Sequence, residues 1–352
     1  MDRGHRMTTD DVSMSPRLQR VTLREISKLA GVDVSTVSRV LNGDAEERNR
    51  AAGKETIYRI RQIAVEVGYS PDPNAVNLRK QKTDLIGVLV PRLSDVVLST
   101  IYEGIEEAAA AAGYYTVVAN THDIRVNQEA RTQIMLNRRV EGLILGDAHF
   151  DAAQVIRLAG HGTPFVLVSR RCRDFPSVTC DDHLGGRLVA EHLIELGHER
   201  VAVVAGEPFA STGIDRTAGF LEVYRERGIL VPEQMVRHSR FDTHGGHTAA
   251  MDLLTSNPRP TAVFAVNDFA AIGVMGAIRE LGLRIADDVS VVGFNDIPPA
   301  RYLPIPLTTV KSPMHEMGRQ ALEMLLEVIR GESAEPRRLT PALIVRDSTQ
   351  PV

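Results

Sequence analysis

Four residues on the outward face of one short predicted helix carry the clearest chemistry in this 352-residue chain: Ser35, Thr36, Ser38 and Arg39. Small hydroxyls allow close approach and exchange hydrogen bonds with phosphates, while a planar guanidinium can grip a phosphate or a guanine edge through two parallel bonds. That combination suits a nucleic-acid surface better than a reaction centre. Catalytic chemistry is sparse elsewhere. The chain has no GxSxG elbow, no GxxxxGKS/T phosphate loop and no HExxH pair. His192 and His198 lie on or after one helix without a matched carboxylate pair and read as packed or surface histidines. Asp181-Asp182 has the composition of a metal or acid pair, but a strand-end doublet serves equally well as a helix cap. The only two cysteines, Cys172 and Cys180, form no CxxC pairing, so neither a disulfide framework nor a zinc site is expected, and a cytoplasmic location fits. No catalytic residue, metal or cofactor is expected.

The elements that must hold Arg39 and its neighbours are legible. Thr22 and Glu25 stand at capping-box spacing, and Ile26, Leu29 and Ala30 follow as one apolar stripe. Gly31 ends this helix. Asp33 is placed to cap a second helix reaching about Leu41, with Val37, Val40 and Leu41 inward, and Asn42-Gly43 ends it. Two short helices joined by a tight glycine turn follow the helix-turn-helix plan, although any short helical hairpin has the same spacing. The charge distribution agrees. Residues 17–82 hold 13 Lys and Arg against 8 Asp and Glu, whereas residues 83–352 hold 26 against 34, so a basic head precedes an acidic body. Residues 1–20 are polar, lack the apolar core of a secretory signal, and read as a disordered tail. No apolar run approaches the ~18 residues needed to span a bilayer.

Beyond the head, Ser70–Lys80 contains Asp72-Pro73, a good N-cap and first-turn pair for a helix too short to stand alone; a plain linker is the alternative. From residue 84 onward the pattern changes. Buried-strand runs at Asp84–Val90, Tyr115–Ala119, Gly142–Leu145, Phe165–Val168, Val201–Ala205, Ala262–Val266 and Val289–Gly293 alternate with helical segments. Alternation of this kind implies parallel sheets covered on both faces, and about ten strands fit two doubly wound lobes better than one sheet. Ligands of such folds bind beyond the carboxyl ends of the strands, which puts a site in the cleft between the lobes.

The run Val21–Val32, continued by Ser35–Gly43, closely resembles the head of the lactose-repressor/galactose-repressor (LacI/GalR) family. The resemblance extends through a third helix at Ile57–Tyr69 and through Ser177–Asp182, Gly185-Gly186, His192–His198, Phe264–Asp268, Val289–Asp296 and Leu307–Val310. It implies an all-α helix-turn-helix DNA-binding head and an α/β, periplasmic-binding-protein-like body of two doubly wound parallel-sheet lobes. It implies a homodimeric repressor of double-stranded DNA, with no membrane partner, acting on a near-palindromic operator under a small-molecule effector. By position, Val34, Ser35 and Arg39 would read bases, and Thr22, Thr36, Ser38 and Asn42 would hold phosphates. Ala75, Leu78 and Arg79 would lie on a hinge helix that enters the minor groove, with Leu78 as the wedge. Effector contacts by position would be Leu98, Arg216, Phe241, Asn267 and Asn295, and Arg171, an arginine added to the family pattern, is expected to join them. The corresponding divisions are a head at 21–69, a hinge and linker at 70–83, and a body at 84–352. Within the body, lobe 1 takes about 84–180 and 312–333, and lobe 2 about 181–311 and 334–347.

Departures from the family pattern matter. Residues 44–53 exceed the usual loop by about five residues and are expected to extend a solvated loop. Asn295 stands where the family usually has Asp, Val97-Leu98 where aromatics often flank the cleft, and Ser169 where an Asp is common. Arg170, Arg171 and Arg173 follow Ser169. A cleft that loses two carboxylates and gains arginines would suit an anionic effector, such as a sugar acid or sugar phosphate, over a neutral sugar; the alternative is that these arginines face water. A solute-binding protein is opposed by the DNA-binding head, and an enzyme by the missing nucleophile or acid pair.

Overall fold

A computed structural model describes residues 21–43, 45–69 and 82–352, which divide into two compact units, the first ending at Lys82 and the second spanning Thr83–Val352. The expected hinge residues Ala75, Leu78 and Arg79, like the expected tail at 1–20, lie outside the described residues.

The head contains α1 (Leu23–Ala30), α2 (Val34–Asn42), α3 (Ala45–Ala51) and α4 (Lys54–Glu66). Both arms of the capping box form at Thr22 and Glu25, and Gly31 ends α1 at φ 64°. Asp33 caps α2 by accepting from the Ser35 N–H at 2.8 Å. Ile26, Ala30, Val37, Val40, Ile60 and Ala64 close a small common core. Leu29, expected in the same stripe, is instead 61% exposed. Ile26 and Ala30, one turn apart, already fill the side of α1 that meets α2 and α4. The extra residues at 44–53 are not simply loop: they include the single-turn-plus helix α3, with an exposed Glu46–Arg50 pair one turn apart at 3.1 Å.

The body is two six-stranded sheets. The strands are β1 (Leu85–Val90), β2 (Tyr115–Asn120), β3 (Gly142–Leu145), β4 (Phe165–Val168), β5 (Ser177–Cys180), β6 (Val201–Ala205), β7 (Val236–His238), β8 (Ala262–Ala265), β9 (Ser290–Asn295), β10 (Thr308–Lys311), β11 (Arg337–Leu339) and β12 (Ala342–Ile344). Lobe 1 has the order β11-β5-β4-β3-β1-β2 and lobe 2 the order β12-β10-β9-β8-β6-β7. Every pairing is parallel except β10 with β12. The chain therefore changes lobe after Cys180, after Lys311, and again between Leu339 and Ala342. This corrects the expected boundary at 334, because β11 completes lobe 1 beside β5 before β12 joins lobe 2. Three-residue strands such as β7, β11 and β12 are too short for a periodicity to register.

Around the sheets lie α5 (Val96–Ala111), α6 (Arg125–Asn137), α7 (Ala153–Gly160), α8 (Asp182–Glu195), α9 (Ser211–Glu226), α10 (Thr243–Leu254), α11 (Asp268–Glu280) and α12 (Met314–Ile329). Three pairs, α5 with α12, α8 with α9, and α10 with α11, cross so closely that backbones touch at glycines. A Cβ on Gly318 would lie 1.9 Å from the Ile101 carbonyl oxygen, and one on Gly186 would lie 2.0 Å from that of Arg216. Since backbone cannot rotate aside as a side chain can, Gly318→Ala is expected to destabilise lobe 1 by ~3 kcal/mol, the upper part of the usual overpacking range. Urea denaturation checks this, and an unchanged midpoint would mean that α12 slides freely.

Candidate functional site: DNA-reading face and interlobe cleft

The outward side of α2 carries the residues expected to meet DNA. Ser35 and Arg39 are exposed, while Val34, Thr36, Ser38 and Asn42 are half-buried around them. Arg39 is tethered only weakly, by a 3.5 Å contact from its guanidinium to the Ser35 hydroxyl one turn earlier. Buried Val37 and Val40 anchor the opposite side of the helix, so the reading face is presented by a rigid element. Thr22, also exposed, spends its backbone N–H and hydroxyl on Glu25 at the start of α1. A backbone hydrogen bond from Thr22 holds the Glu25 carboxyl below its ordinary pKa.

In the body, a cavity of about 610 Å³ opens between the lobes. Leu98 from α5 lines it on one side, with Arg216, Phe241, Asn267 and Asn295 on the other. Arg171 does not line it, which corrects the expectation for that residue. The Arg171 guanidinium instead clasps Asp215 at 2.8 and 2.7 Å. Arg173 faces solvent. Of the three loop arginines only Arg170 reaches the cleft, and Asp123 holds it through two bonds of 2.6 and 3.0 Å.

Arg216 is fixed from three sides. It donates to Asp182 and to the Val266 carbonyl, each at 2.7 Å, and its guanidinium lies 3.8 Å from the centre of the Phe294 ring. Asp182 is the second residue of the strand-end doublet, while Asp181 caps α8 by accepting from the Leu184 N–H. Burial pushes the Asp182 carboxyl up to about 6 against the opposing pull of Arg216. Asn267 is held by two bonds: its Oδ1 accepts from the Ala270 N–H to cap α11, and one N–H of its Nδ2 donates to the Phe241 carbonyl, which leaves a second N–H uncommitted. The second of these bonds also ties Asn267 to the backbone of Phe241 on the cleft wall. Asn295 differs from all of these. It is 96% buried by its 4% exposure, adopts φ 110°, and its Oδ1 has no hydrogen-bond partner.

The charge expected of the cleft is also corrected. Arg92, Arg170, Arg216 and Arg240 line it, but so do Asp95, Asp123, Glu207 and Asp242, so the formal charges balance. Asp123 meets Arg170 from 47 positions away, a pairing without local signature. His192 and His198 are packed histidines: the first meets the Thr349 hydroxyl and the second meets Thr261 and the Gln350 carbonyl.

Beneath the cleft, Asp268 accepts from the Thr309 hydroxyl and from the Ile297 N–H, yet burial pushes its pKa from 3.8 up to about 7. The unfolded chain therefore releases this proton near pH 4 while the folded chain keeps it, so stability falls as pH rises from about 4 to 7. Asp182 contributes in the same sense up to about pH 6. Asp268→Asn, which keeps a donor and an acceptor, is expected to flatten this decline in urea titrations run from pH 4 to 8. A parallel decline in both proteins would remove Asp268 from the titration.

Comparison with known proteins agrees with this geometry. Residues 22–72 match the lacI family of bacterial regulatory proteins, and residues 190–349 match the periplasmic binding protein-like domain. The HTH-type transcriptional repressor PurR of Erwinia tasmaniensis is 33% identical over 93% of this chain and 96% of its own length. The chain belongs to the lacI family. The ribose operon repressor of Haemophilus influenzae is 31% identical over 93% of this chain and 98% of its own. Among solved structures, the lac repressor dimer bound to operator and the anti-inducer ONPF superposes with a TM-score of 0.83 at 28% identity, covering 94% of this chain and all of that one. The complex of the regulator CelR with cellobiose gives 0.70 at 30% identity over the same share of this chain. As a lacI-family protein, the chain is a DNA-binding transcriptional regulator and not an enzyme. Among its described residues, no helix is long and apolar enough to cross a membrane.

Proposed function

We propose that this protein is a homodimeric repressor whose hold on a near-palindromic operator is set by a neutral, hydroxyl-rich small molecule of the sugar type, bound between the lobes. The cleft itself supports this reading: two of its four arginines, Arg170 and Arg216, are held by carboxylates, while the buried Asn295 side-chain carbonyl on its wall lacks a donor. A buried acceptor left unpaired costs ~1–3 kcal/mol, and a ligand hydroxyl offers the missing bond. The Phe241 and Phe269 rings on the same wall supply the apolar surface on which sugar C–H faces pack. An anionic ligand would have to displace Asp123 from Arg170 or Asp182 from Arg216 to gain a guanidinium of either pair. The cellobiose complex of CelR and the ribose operon repressor point in the same direction.

For the dimer, β2 is an edge strand whose Tyr115 and Val117 are exposed, a surface that favours being covered. Two heads related by a two-fold axis would read two half-sites, and the hinges of the two chains would enter the minor groove between them. Ligand-driven reorientation of the lobes would move the hinges and change operator affinity. Calorimetry with ribose, glucose and cellobiose, set against gluconate and glucose 6-phosphate, tests the ligand class. Heat from a neutral member is the expected result; binding of the acids alone overturns it.

A further inference from the structure

Bordering the cleft, and sharing Arg170 and Phe209 with its lining, the two lobes meet in a compact seam. Three loops at the carboxyl ends of strands build it. The loop after β3 brings His149 and Phe150, the loop after β4 brings Arg170 and Arg171, and the loop after β6 brings Phe209 to the start of α9. The Phe150 N–H donates to the Phe209 carbonyl at 2.8 Å, and the Arg171 N–H donates to the Ser211 hydroxyl at 2.9 Å. The Phe209 ring stacks on His149 with centroids 4.2 Å apart, and the Arg170 guanidinium lies 5.7 Å from the same ring. Across this seam runs the two-bond Arg171–Asp215 pair, with side chains 28% and 18% exposed. A fork-shaped guanidinium held by two parallel bonds fixes orientation as well as distance, and partial burial shields the pair from salt.

We propose that the Arg171–Asp215 pair, with Phe209 seated against His149 and Arg170, is a latch that fixes the angle between the lobes. Asp215 and Arg216 are neighbours on the first turns of α9, one facing the opposite lobe and the other the cleft. A shift of this helix on ligand binding would therefore strain or relieve the latch directly. That coupling rests on the ligand reading above; the latch itself does not, and it is tested without ligand. Hinged lobes exchange between discrete arrangements, so loss of a latch appears as a second population and not as uniform softening.

The test is a pulsed electron-spin distance measurement on the full chain, labelled through Gln133→Cys on α6 and Asp252→Cys on α10. Labelled chains are diluted into unlabelled protein so that distances within one chain are read; Cys172 and Cys180 are buried. The unsubstituted pair is expected to give one narrow distance distribution. Arg171→Ala and Asp215→Ala are each expected to add a second, and their combination to add nothing further. The reversal Arg171→Asp with Asp215→Arg is expected to restore one narrow distribution. Arg171→Lys, which keeps the charge without the fork, covers the case in which an alanine variant fails to fold, and is expected to broaden the distribution. Unchanged distributions in the single variants, or a lowered melting temperature without any new distance population, would overturn the proposal.

Discussion

Replacing Arg39 by alanine is expected to weaken operator binding by ~1–3 kcal/mol, about 5- to 150-fold, with little loss on random DNA. The asymmetry follows from where Arg39 sits. It is exposed on α2 and, among the described residues, its side chain is bonded to Ser35 at 3.5 Å, so removal leaves no buried group unpaired there and the melting temperature of the head should not move. A base-reading guanidinium loses its two bonds only on the correct base pair, whereas a phosphate contact is lost on every sequence. Fluorescence anisotropy at one fixed salt concentration, with operator and scrambled duplexes side by side, separates the two cases. Equal losses on both duplexes would assign Arg39 to the backbone and remove it from base readout.

Arg216→Ala is expected to have the larger effect on the body. Its partner Asp182 is 4% exposed and would be left as a buried carboxylate without its cation, a change that costs ~3–5 kcal/mol. The same truncation removes the donor to the Val266 carbonyl and the cation seated against Phe294. Ligand response should disappear together with this stability. Pairing the substitution with Asp182→Asn distinguishes the causes. If the cost is the orphaned charge, the double variant recovers much of the urea midpoint while ligand binding stays lost. Recovery of both would mean that Arg216 is structural scaffolding for the cleft and not a ligand contact.

How far the sequence reached into this structure depended on the range of each interaction. The capping box at Thr22–Glu25, the glycine turn at Gly31 and the Asp33 cap are set by neighbours four residues apart or fewer, and all are present. Long apolar strands such as β1 and β6 were legible because parallel strands buried on both faces read as unbroken hydrophobic runs. Leu29 illustrates the opposite case: periodicity alone cannot say that a helix of eight residues has only enough neighbours to bury Ile26 and Ala30. The short helix α3 was missed because its exposed, charged composition is shared with solvated loops.

The cleft divided along the same line. Leu98, Arg216, Phe241, Asn267 and Asn295 were marked by their places in a family pattern, and they converge on one cavity. Arg171 carried the same kind of signal from composition but lies outside, because Asp215, 44 residues later, draws it across the seam. Asp123 and Phe209 gave no signal at all. Their partners come from distant loops: the folding of lobe 1 brings Asp123 to Arg170, and the meeting of the lobes brings Phe209 to His149. The loop arginines were read as available charge, whereas Arg170 and Arg171 are each held by a carboxylate and Arg173 faces solvent.

Sequence-specific operator binding by the assembled protein can be read from selection of duplexes out of a random pool by the full chain. Enrichment of an inverted repeat, bound at physiological salt at least ~10³-fold more tightly than random DNA, is the expected result. Recovery of duplexes without a shared repeat, bound no better than the starting pool at the same salt, would contradict it.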